Sequence, residues 1–304
     1  MGLPASPPFD PRYGEGVEVA RHAVRVTARN SGPFTGPGTN SYVLGTGTLA
    51  VVDPGPDDPR HLEALLRVIA GRPVSHVVVT HTHVDHTALV GRLVEATGAL
   101  TVAEGRHRAA RELQAGERNT MDASADGAFE PDRKLAHGEV VEGDGWTLQG
   151  VHTPGHTANH MAFAVPGGPL FCGDHVMAWA TTIVAPPDGS MTDYMASLET
   201  LLDRQAMGLD SRYLPGHGAA IDRPRAYVRA LKAHRLMRER AVLDRIRAGD
   251  RTIPEIVAVI YRATDARLHG AAALSVLAQL ERLVERGAVR VDGAPSLAAE
   301  YRPA

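Results

Sequence analysis

The chain has 304 residues, 43% of them hydrophobic, a formal net charge of −3 and one cysteine, Cys172. That length can bury a sizeable core in one large domain, or in a large and a small one. One cysteine excludes an intrachain disulfide, and the net charge by itself marks neither a nucleic-acid binder nor an acidic tail. The total hides an asymmetry: residues 226–304 carry 14 Lys and Arg against 9 Asp and Glu, a balance of +5, leaving 18 against 26, or −8, for residues 1–225. No apolar run approaches the roughly 20 residues of a membrane span. The opening MGLPASPPFD has neither the basic nor the apolar region of a secretory leader. A cytoplasmic protein with no membrane partner is the expectation.

In chain order, GPFTGPGTN (32–40) reads as a loop, and SYVLGTGTLAVVDPG (41–55) as two strands about a Gly-Thr-Gly turn. A helix is predicted from about Asp58, with Pro59 in its first turn, Leu62, Leu65, Leu66 and Ile69 on one face and Gly71 as its stop. The β-branched run at 76–80 predicts a buried strand that ends on HTHVDH, with a helix over about 87–97 beyond it. WTLQGVH (146–152) is strand-like and leads into TPGHT. MAFAV and PLFC are short strands, the second leading into GDH. TDYMASLETLLDR (192–204) is an amphipathic helix, and RYL a short strand leading into PGHG. Four times a strand runs into a loop bearing His or Asp, which is where a layered α/β scaffold usually carries catalytic groups. From Asp222 the texture changes to long helical periodicity. Thr252, Pro254 and Glu255 form a capping box with Pro in the first turn of a new helix, another helix covers about 272–285, and the end of the chain reads as a hairpin. Helices followed by a hairpin look like a winged helix, so two domains are expected, 1–225 and 226–304. All seven candidate ligands described next precede 226, and a chain ending there is expected to keep them.

Histidine is the unusual residue, at 15. His81, His83, Asp85 and His86 fall within six positions, and packing alone gives no reason to gather three imidazoles and a carboxylate in one turn. A borderline-soft cation such as Zn²⁺ favours those donors at roughly 2.0–2.2 Å. Four groups do not close two metal sites, so further ligands are expected from the other strand-end loops: His156 in TPGHT, Asp174 in CGDH and His217 in LPGHG. Glycine beside each lets the backbone come close to an ion. Asp174 is the natural bridge, because a carboxylate can offer one oxygen to each of two metals.

These ordered motifs, with Asp53 in VVDPG, HTHVDH, TPGHT, GDH and PGHG spread over 51–218, resemble the metallo-β-lactamase superfamily. The resemblance implies an α/β fold, a four-layer αββα sandwich with its site at one edge, plus a small C-terminal winged-helix-like domain. It assigns His81, His83 and His156 to one metal and Asp85, His86 and His217 to the other, with Asp174 between them. Asp53 would support the metal-binding loop from behind; read without the family, it is a turn aspartate before Pro54. TGPGTNSYVLGTG and the tail are similar to the group known as β-lactamase-like protein two, whose members include endoribonucleases acting on single-stranded RNA. Thr87 and Ala88 stand where many superfamily members have Gly-Gly. The cofactor expected is two Zn²⁺, with Mn²⁺ or Fe²⁺ as alternatives.

Two cations a few ångströms apart would lower the pKa of a shared water from about 15.7 toward roughly 7, and the resulting hydroxide would attack carbon or phosphorus. Asp85 and Asp174 are the expected catalytic carboxylates, Asp85 orienting the hydroxide. Asn40, beside Thr39 in the GTN segment, and His160 are candidate substrate contacts, although a turn role explains Asn40 as simply and a structural hydrogen bond is the simpler account of His160. His175 and the Pro186-Pro187-Asp188-Gly189 stretch read as loop and turn, and the Arg-rich stretch 225–251 as a solvated helix face. The leading functional expectation is a zinc-dependent phosphodiesterase of the endoribonuclease type. The alternative is a hydrolase of a small thioester, lactone or β-lactam, and the third reading is a non-catalytic protein that binds nucleic acid or a partner chain. The tail could equally pack on the large domain or make a homodimer.

Overall fold

A computed structural model describes residues 3–114, 117, 119 and 121–304. The first half of the chain builds a seven-stranded sheet in sequence order: β1 (Val17–Ala20), β2 (Ala23–Thr27), β3 (Asn40–Leu44), β4 (Leu49–Val52), β5 (Val74–Val78), β6 (Leu100–Ala103) and β7 (Arg133–Lys134). Helices α1 (Pro59–Ile69), α2 (Val84–Thr87) and α3 (Val90–Thr97) interrupt it. β4, β5 and β6 run parallel because helical crossovers connect them. The second sheet has the order β12-β11-β10-β9-β8, from β8 (Val140–Gly143), β9 (Trp146–His152), β10 (Met161–Ala164), β11 (Leu170–Gly173) and β12 (Tyr213–Pro215). Helix α4 (Met191–Ala206) crosses from β11 to β12, which pair in parallel.

Alternation along the strands sets the layers. Ala50 and Val52 of β4 face the second sheet in a cluster with Val78, Leu148, Phe163, Phe171 and Leu214. Their neighbours Leu49 and Val51 face α1 and α3, where Leu62, Leu65, Ile69 and Leu93 cover them. The outer face of the second sheet, with Ala162, Ala164 and Cys172, is covered by Tyr194, Leu198 and Leu201 of α4. The result is the expected αββα sandwich. Asp58 caps α1 by accepting from the Arg60 N–H, and Ala70 ends it in the left-handed region.

One local expectation shifts. The predicted helix over 87–97 begins earlier and is broken: α2 already contains Asp85 and His86, and α3 follows after Ala88 and Leu89. The Leu89 N–H donates to the Gly55 carbonyl, so the break ties this segment to the turn after β4. The end of the chain adopts the predicted hairpin, β13 (Val289–Val291) with β14 (Tyr301–Pro303), and the Thr252–Glu255 capping box forms.

The tail contains α5 (Pro224–Ala248), α6 (Ile253–Ile260) and α7 (His269–Glu285). α5 is continuous and serves two cores. Tyr227, Val228 and Leu231 near its start join the cluster that holds Tyr194 and Tyr213 of the sandwich, whereas Val242, Leu243 and Ile246 near its end join Ile253, Ile256, Val276 and Leu280 of the tail. Between the two, buried Arg235 donates to the Thr182 carbonyl. Among the described residues, no helix is long and apolar enough to cross a membrane.

Candidate metal centre and cavity

The site is assembled at one edge of the sandwich, where β4, β5, β9, β11 and β12 end. Asp53 follows β4 with a left-handed φ of 48°. Its carboxylate accepts from the Thr80 N–H (2.8 Å) and hydroxyl (2.7 Å), which fixes the segment after β5, and from the Nδ1–H of His86 (2.9 Å). A side chain behind the cluster thus fixes the His86 ring, with Nδ1–H on Asp53 and Nε2 turned toward the cluster.

The other imidazoles are held in the same manner. His156 Nδ1 donates to the Ile183 carbonyl (2.7 Å), His217 Nδ1 to the Gly38 carbonyl (3.2 Å), and His81 Nδ1 lies 3.0 Å from the Thr80 hydroxyl. Their opposite nitrogens converge. His83 Nδ1 is 3.0 Å from both His81 Nε2 and His156 Nε2. Beside this trio, Asp85 Oδ2 lies 3.4 Å from His86 Nε2 and 3.4 Å from His217 Nε2. Asp174 stands between the groups, with Oδ1 3.6 Å from His86 and Oδ2 3.2 Å from His217 and 3.8 Å from His156. Gly216 makes this approach possible: a Cβ there would fall 2.3 Å from Asp174 Oδ1 and 2.7 Å from His86 Cε1.

Electrostatics divide the cluster in two. Burial, reinforced by neighbouring imidazoles, holds His81 well below the usual histidine range and His83 at about 3; burial also lowers His156. These three are neutral and offer lone pairs. Burial works against a charge on His86 too, but Asp85, Asp174 and Asp53 outweigh it and push its pKa up to about 10. His217 moves in the same direction, through Asp174. The carboxylates respond in kind: despite burial, His217 and His86 hold Asp174 well below the carboxylate range, and His86 and His217 lower Asp85. The three carboxylates therefore focus negative potential where a cation is favoured. The donor set fits divalent metal: His86 Nε2 and Asp174 Oδ1 are buried with no hydrogen-bond partner, and the groups within mutual reach are His81–His83–His156, His81–His86–Asp174 and Asp85–His86–His217. All seven residues expected as ligands are thus brought together.

Asn40 and His160 lie elsewhere. Asn40 is buried; its Nδ2 donates to the Pro215 and Gly218 carbonyls and its Oδ1 accepts from Thr27, so it pins the loop that carries His217. His160 is fully buried beneath Asp174. Its Nε2 accepts from the Asp174 N–H (3.1 Å), while Nδ1 donates to the Thr153 hydroxyl (2.9 Å). Neither residue lines the cavity at the cluster. Thr39, which the sequence placed beside Asn40, donates its hydroxyl to Asp85 Oδ2 (2.8 Å) and is itself held by Asn30. Nothing in the sequence singled out Asn30. His175 is buried against the Tyr194 ring, and Asp188 is buried in its turn, accepting from Asn119. Replacing His160 by Ala should leave the buried Asp174 N–H without a partner and cost about 1–3 kcal/mol of stability. The urea midpoint should fall, with kcat within about tenfold of wild type; an unchanged midpoint with a raised KM would place His160 at the substrate instead.

The cluster forms the floor of a cavity of about 500 Å³, to which His83, Asp85, His156, Asp174 and His217 contribute. Its walls are Pro33 and Phe34 on one loop, Met177, Trp179 and Ile183 on another, Met121 and Ala123 on a third, and Ala271 and Leu274 of α7. Among the described residues lining it there is no Lys or Arg.

The profile of the metallo-β-lactamase superfamily matches residues 34–217, which include every one of these floor residues. The chain belongs to the metallo-β-lactamase superfamily. The beta-lactamase associated winged helix domain matches residues 252–296, so this member carries the expected winged helix behind its sandwich. It is 30% identical over 283 residues to a "Beta-lactamase-like protein 2 homolog" of Drosophila melanogaster, covering 88% of this chain and 89% of that one. It is 28% identical to an "Atrochrysone carboxyl ACP thioesterase" of Aspergillus novofumigatus, over 80% of this chain and 72% of that protein. Among solved structures, a beta-lactamase domain protein from Burkholderia ambifaria superposes with a TM-score of 0.80 at 22% identity, covering 99% of this chain and 97% of that one. That likeness extends the shared fold of this metallo-β-lactamase superfamily chain through the tail.

Proposed function

We propose that the protein is a metal-dependent hydrolase of thioesters, or similarly activated esters, of apolar acyl groups. The observation that carries this reading is the cavity. Its floor is a His/Asp cluster suited to divalent cations, its walls are largely apolar, and among the described lining residues it has no cation to meet a phosphate. Binding a polyanion normally calls on Lys and Arg. Cations of the tail are instead partly neutralised within the protein, Arg282 and Arg286 by Glu239 and Arg245 by Asp250. The likeness to a fungal thioesterase points the same way.

In this reading His81, His83 and His156 would hold one metal and Asp85, His86 and His217 the other, with Asp174 standing between them. The nitrogen and oxygen donors suit Zn²⁺ first, and Mn²⁺ or Fe²⁺ also. When bound, such a pair lowers the pKa of water and draws electron density from the carbonyl to be attacked. The chain does the positioning. Thr39 fixes one oxygen of Asp85, and Asp85, kept ionised by its histidine neighbours, can orient a water by accepting its proton in a hydrogen bond. The apolar walls exclude bulk water from the acyl group and strengthen the electrostatics at the floor.

Single-stranded RNA, the substrate class suggested by the resemblance to β-lactamase-like protein two, is the rival. Metal-loaded protein should be assayed on an acyl thioester, an aryl ester, a lactone, a β-lactam, a bis-aryl phosphodiester and single-stranded RNA. The thioester is expected to give the highest kcat/KM. Cleavage of RNA with no thioester turnover would overturn the proposal in favour of the phosphodiesterase.

A further inference from the structure

We propose that α7 of the winged-helix tail supplies one wall of an acyl subsite, and that Leu274 sets the size of acyl group the cavity accepts. This rests on the acyl-hydrolase reading for its substrate, although the wall itself is a property of the fold.

Ala271 and Leu274 are one helical turn apart and so share a face of α7. Both are half-buried and line the same cavity as His83, Asp85 and Asp174. The other face of α7, with Val276, Leu277, Leu280 and Leu283, is spent in the core of the tail. One helix therefore packs its own domain with one side and closes the cavity with the other. Ahead of Leu274 the sequence is Gly270-Ala271-Ala272-Ala273, so Leu274 is the one bulky side chain that α7 presents to the cavity.

The wall is clamped in place. Arg111, on the segment after β6, binds Glu281 of α7 through two bonds of 2.9 and 2.7 Å; Thr192 of α4 donates to Glu285, and Arg282 pairs with Glu239 of α5. Two elements of the sandwich and the tail's own α5 thus hold α7 in place, and a side chain at 274 changes cavity volume more readily than it moves the helix. Across the cavity, Trp179 is half-buried and Phe34 is 58% exposed. An aromatic side chain left that open at the mouth of a cavity gains from an apolar occupant, since each covered methylene contributes to binding. The chemistry these surfaces recognise is an extended, uncharged, apolar acyl group whose carbonyl reaches the His/Asp floor. A phosphodiester chain laid along the same path would set its charges against Phe34, Leu274 and Ala271.

The test uses the full chain, wild type and Leu274→Trp, with acetyl and octanoyl thioesters of N-acetylcysteamine. Leu274→Trp should lower kcat/KM for the octanoyl thioester about tenfold relative to the acetyl one, while Leu274→Ala should raise the octanoyl-to-acetyl ratio. A second readout needs no turnover: the affinity of the matching acetyl and octanoyl amides, which cannot be cleaved in the assay, measured by calorimetry. Amide affinity that depends on chain length and on residue 274, without thioester turnover, would refute the hydrolytic reading and support the subsite. Turnover or amide binding that changes equally for both chain lengths, or does not respond to residue 274, would refute the subsite and leave the hydrolase standing. If Leu274→Trp does not fold, Ala271→Leu narrows the same wall and is held to the same criteria.

Discussion

Asp174→Ala is expected to lower kcat/KM roughly a thousandfold, the rate equivalent of about 4 kcal/mol, which is typical of stripping one partner from a buried charge cluster. Elemental analysis should find close to two equivalents of divalent metal on the wild-type chain and one or fewer on the variant. Among the described residues, Asp174 is the only carboxylate that approaches His86, His156 and His217 together, at 3.6, 3.8 and 3.2 Å. Removing it takes away the oxygens that reach both halves of the cluster and the charge that favours a cation at His86. Asp174→Asn keeps the shape without the charge and should lie between wild type and the Ala variant. A variant that holds both metals and stays within tenfold of wild type would refute the bridging role. So would wild-type protein that repeatedly binds a single equivalent and takes up no more from added zinc. His160→Ala, which removes a hydrogen bond behind Asp174 rather than a ligand, separates loss of metal from simple loosening of the loop.

Cutting the chain after residue 225 is expected to abolish cooperative folding. It deletes Tyr227, Val228 and Leu231, which are 6%, 0% and 1% exposed and pack with Tyr194 and Tyr213 in the outer core of the second sheet. Burial of three such side chains contributes roughly 5–9 kcal/mol, comparable with the roughly 5–15 kcal/mol that stabilises a whole domain. The cut also removes Arg235 and so frees the Thr182 carbonyl, beside the cavity-lining residues Thr181 and Ile183. Near-ultraviolet circular dichroism and a urea titration decide the matter. A soluble fragment with native-like signals, a sharp transition and its metals would show that the sandwich needs nothing from the tail.

The ligand-type residues were legible because each sits in a short polar motif directly after an apolar strand. HTHVDH offered no packing explanation, and TPGHT, GDH and PGHG repeat the strand-to-loop pattern, so residue type and local period were enough to select His81, His83, Asp85, His86, His156, Asp174 and His217. Period marked the strands and the apolar helix faces, while the four-layer arrangement was implied by the family resemblance of the same motifs.

Other features depend on contacts between distant parts of the chain. Parallel pairing of β11 with β12 brings His217 to Asp174, and the Asn40 side chain reaches across to Pro215 and Gly218 to hold that loop. His160 and Asn40 looked like substrate contacts because a polar residue in a motif carries no mark of the direction it faces. Their partners, a backbone N–H at Asp174 and two backbone carbonyls, are invisible in a string of side chains. Composition changes near residue 222, but the uninterrupted helix that starts just beyond it, Pro224–Ala248, runs through the expected boundary at 225/226 and belongs to two cores, because its apolar face turns from Tyr227, Val228 and Leu231 to Val242 and Ile246 without a break in helical period. The sequence by itself determined which His and Asp residues are of ligand type, since that follows from local pattern, and the sandwich was implied by the resemblance those motifs carry. Only the tertiary structure decided that the wall of the cavity comes from α7, because which elements meet across a cavity depends on how the layers and the tail pack, and no local period encodes that.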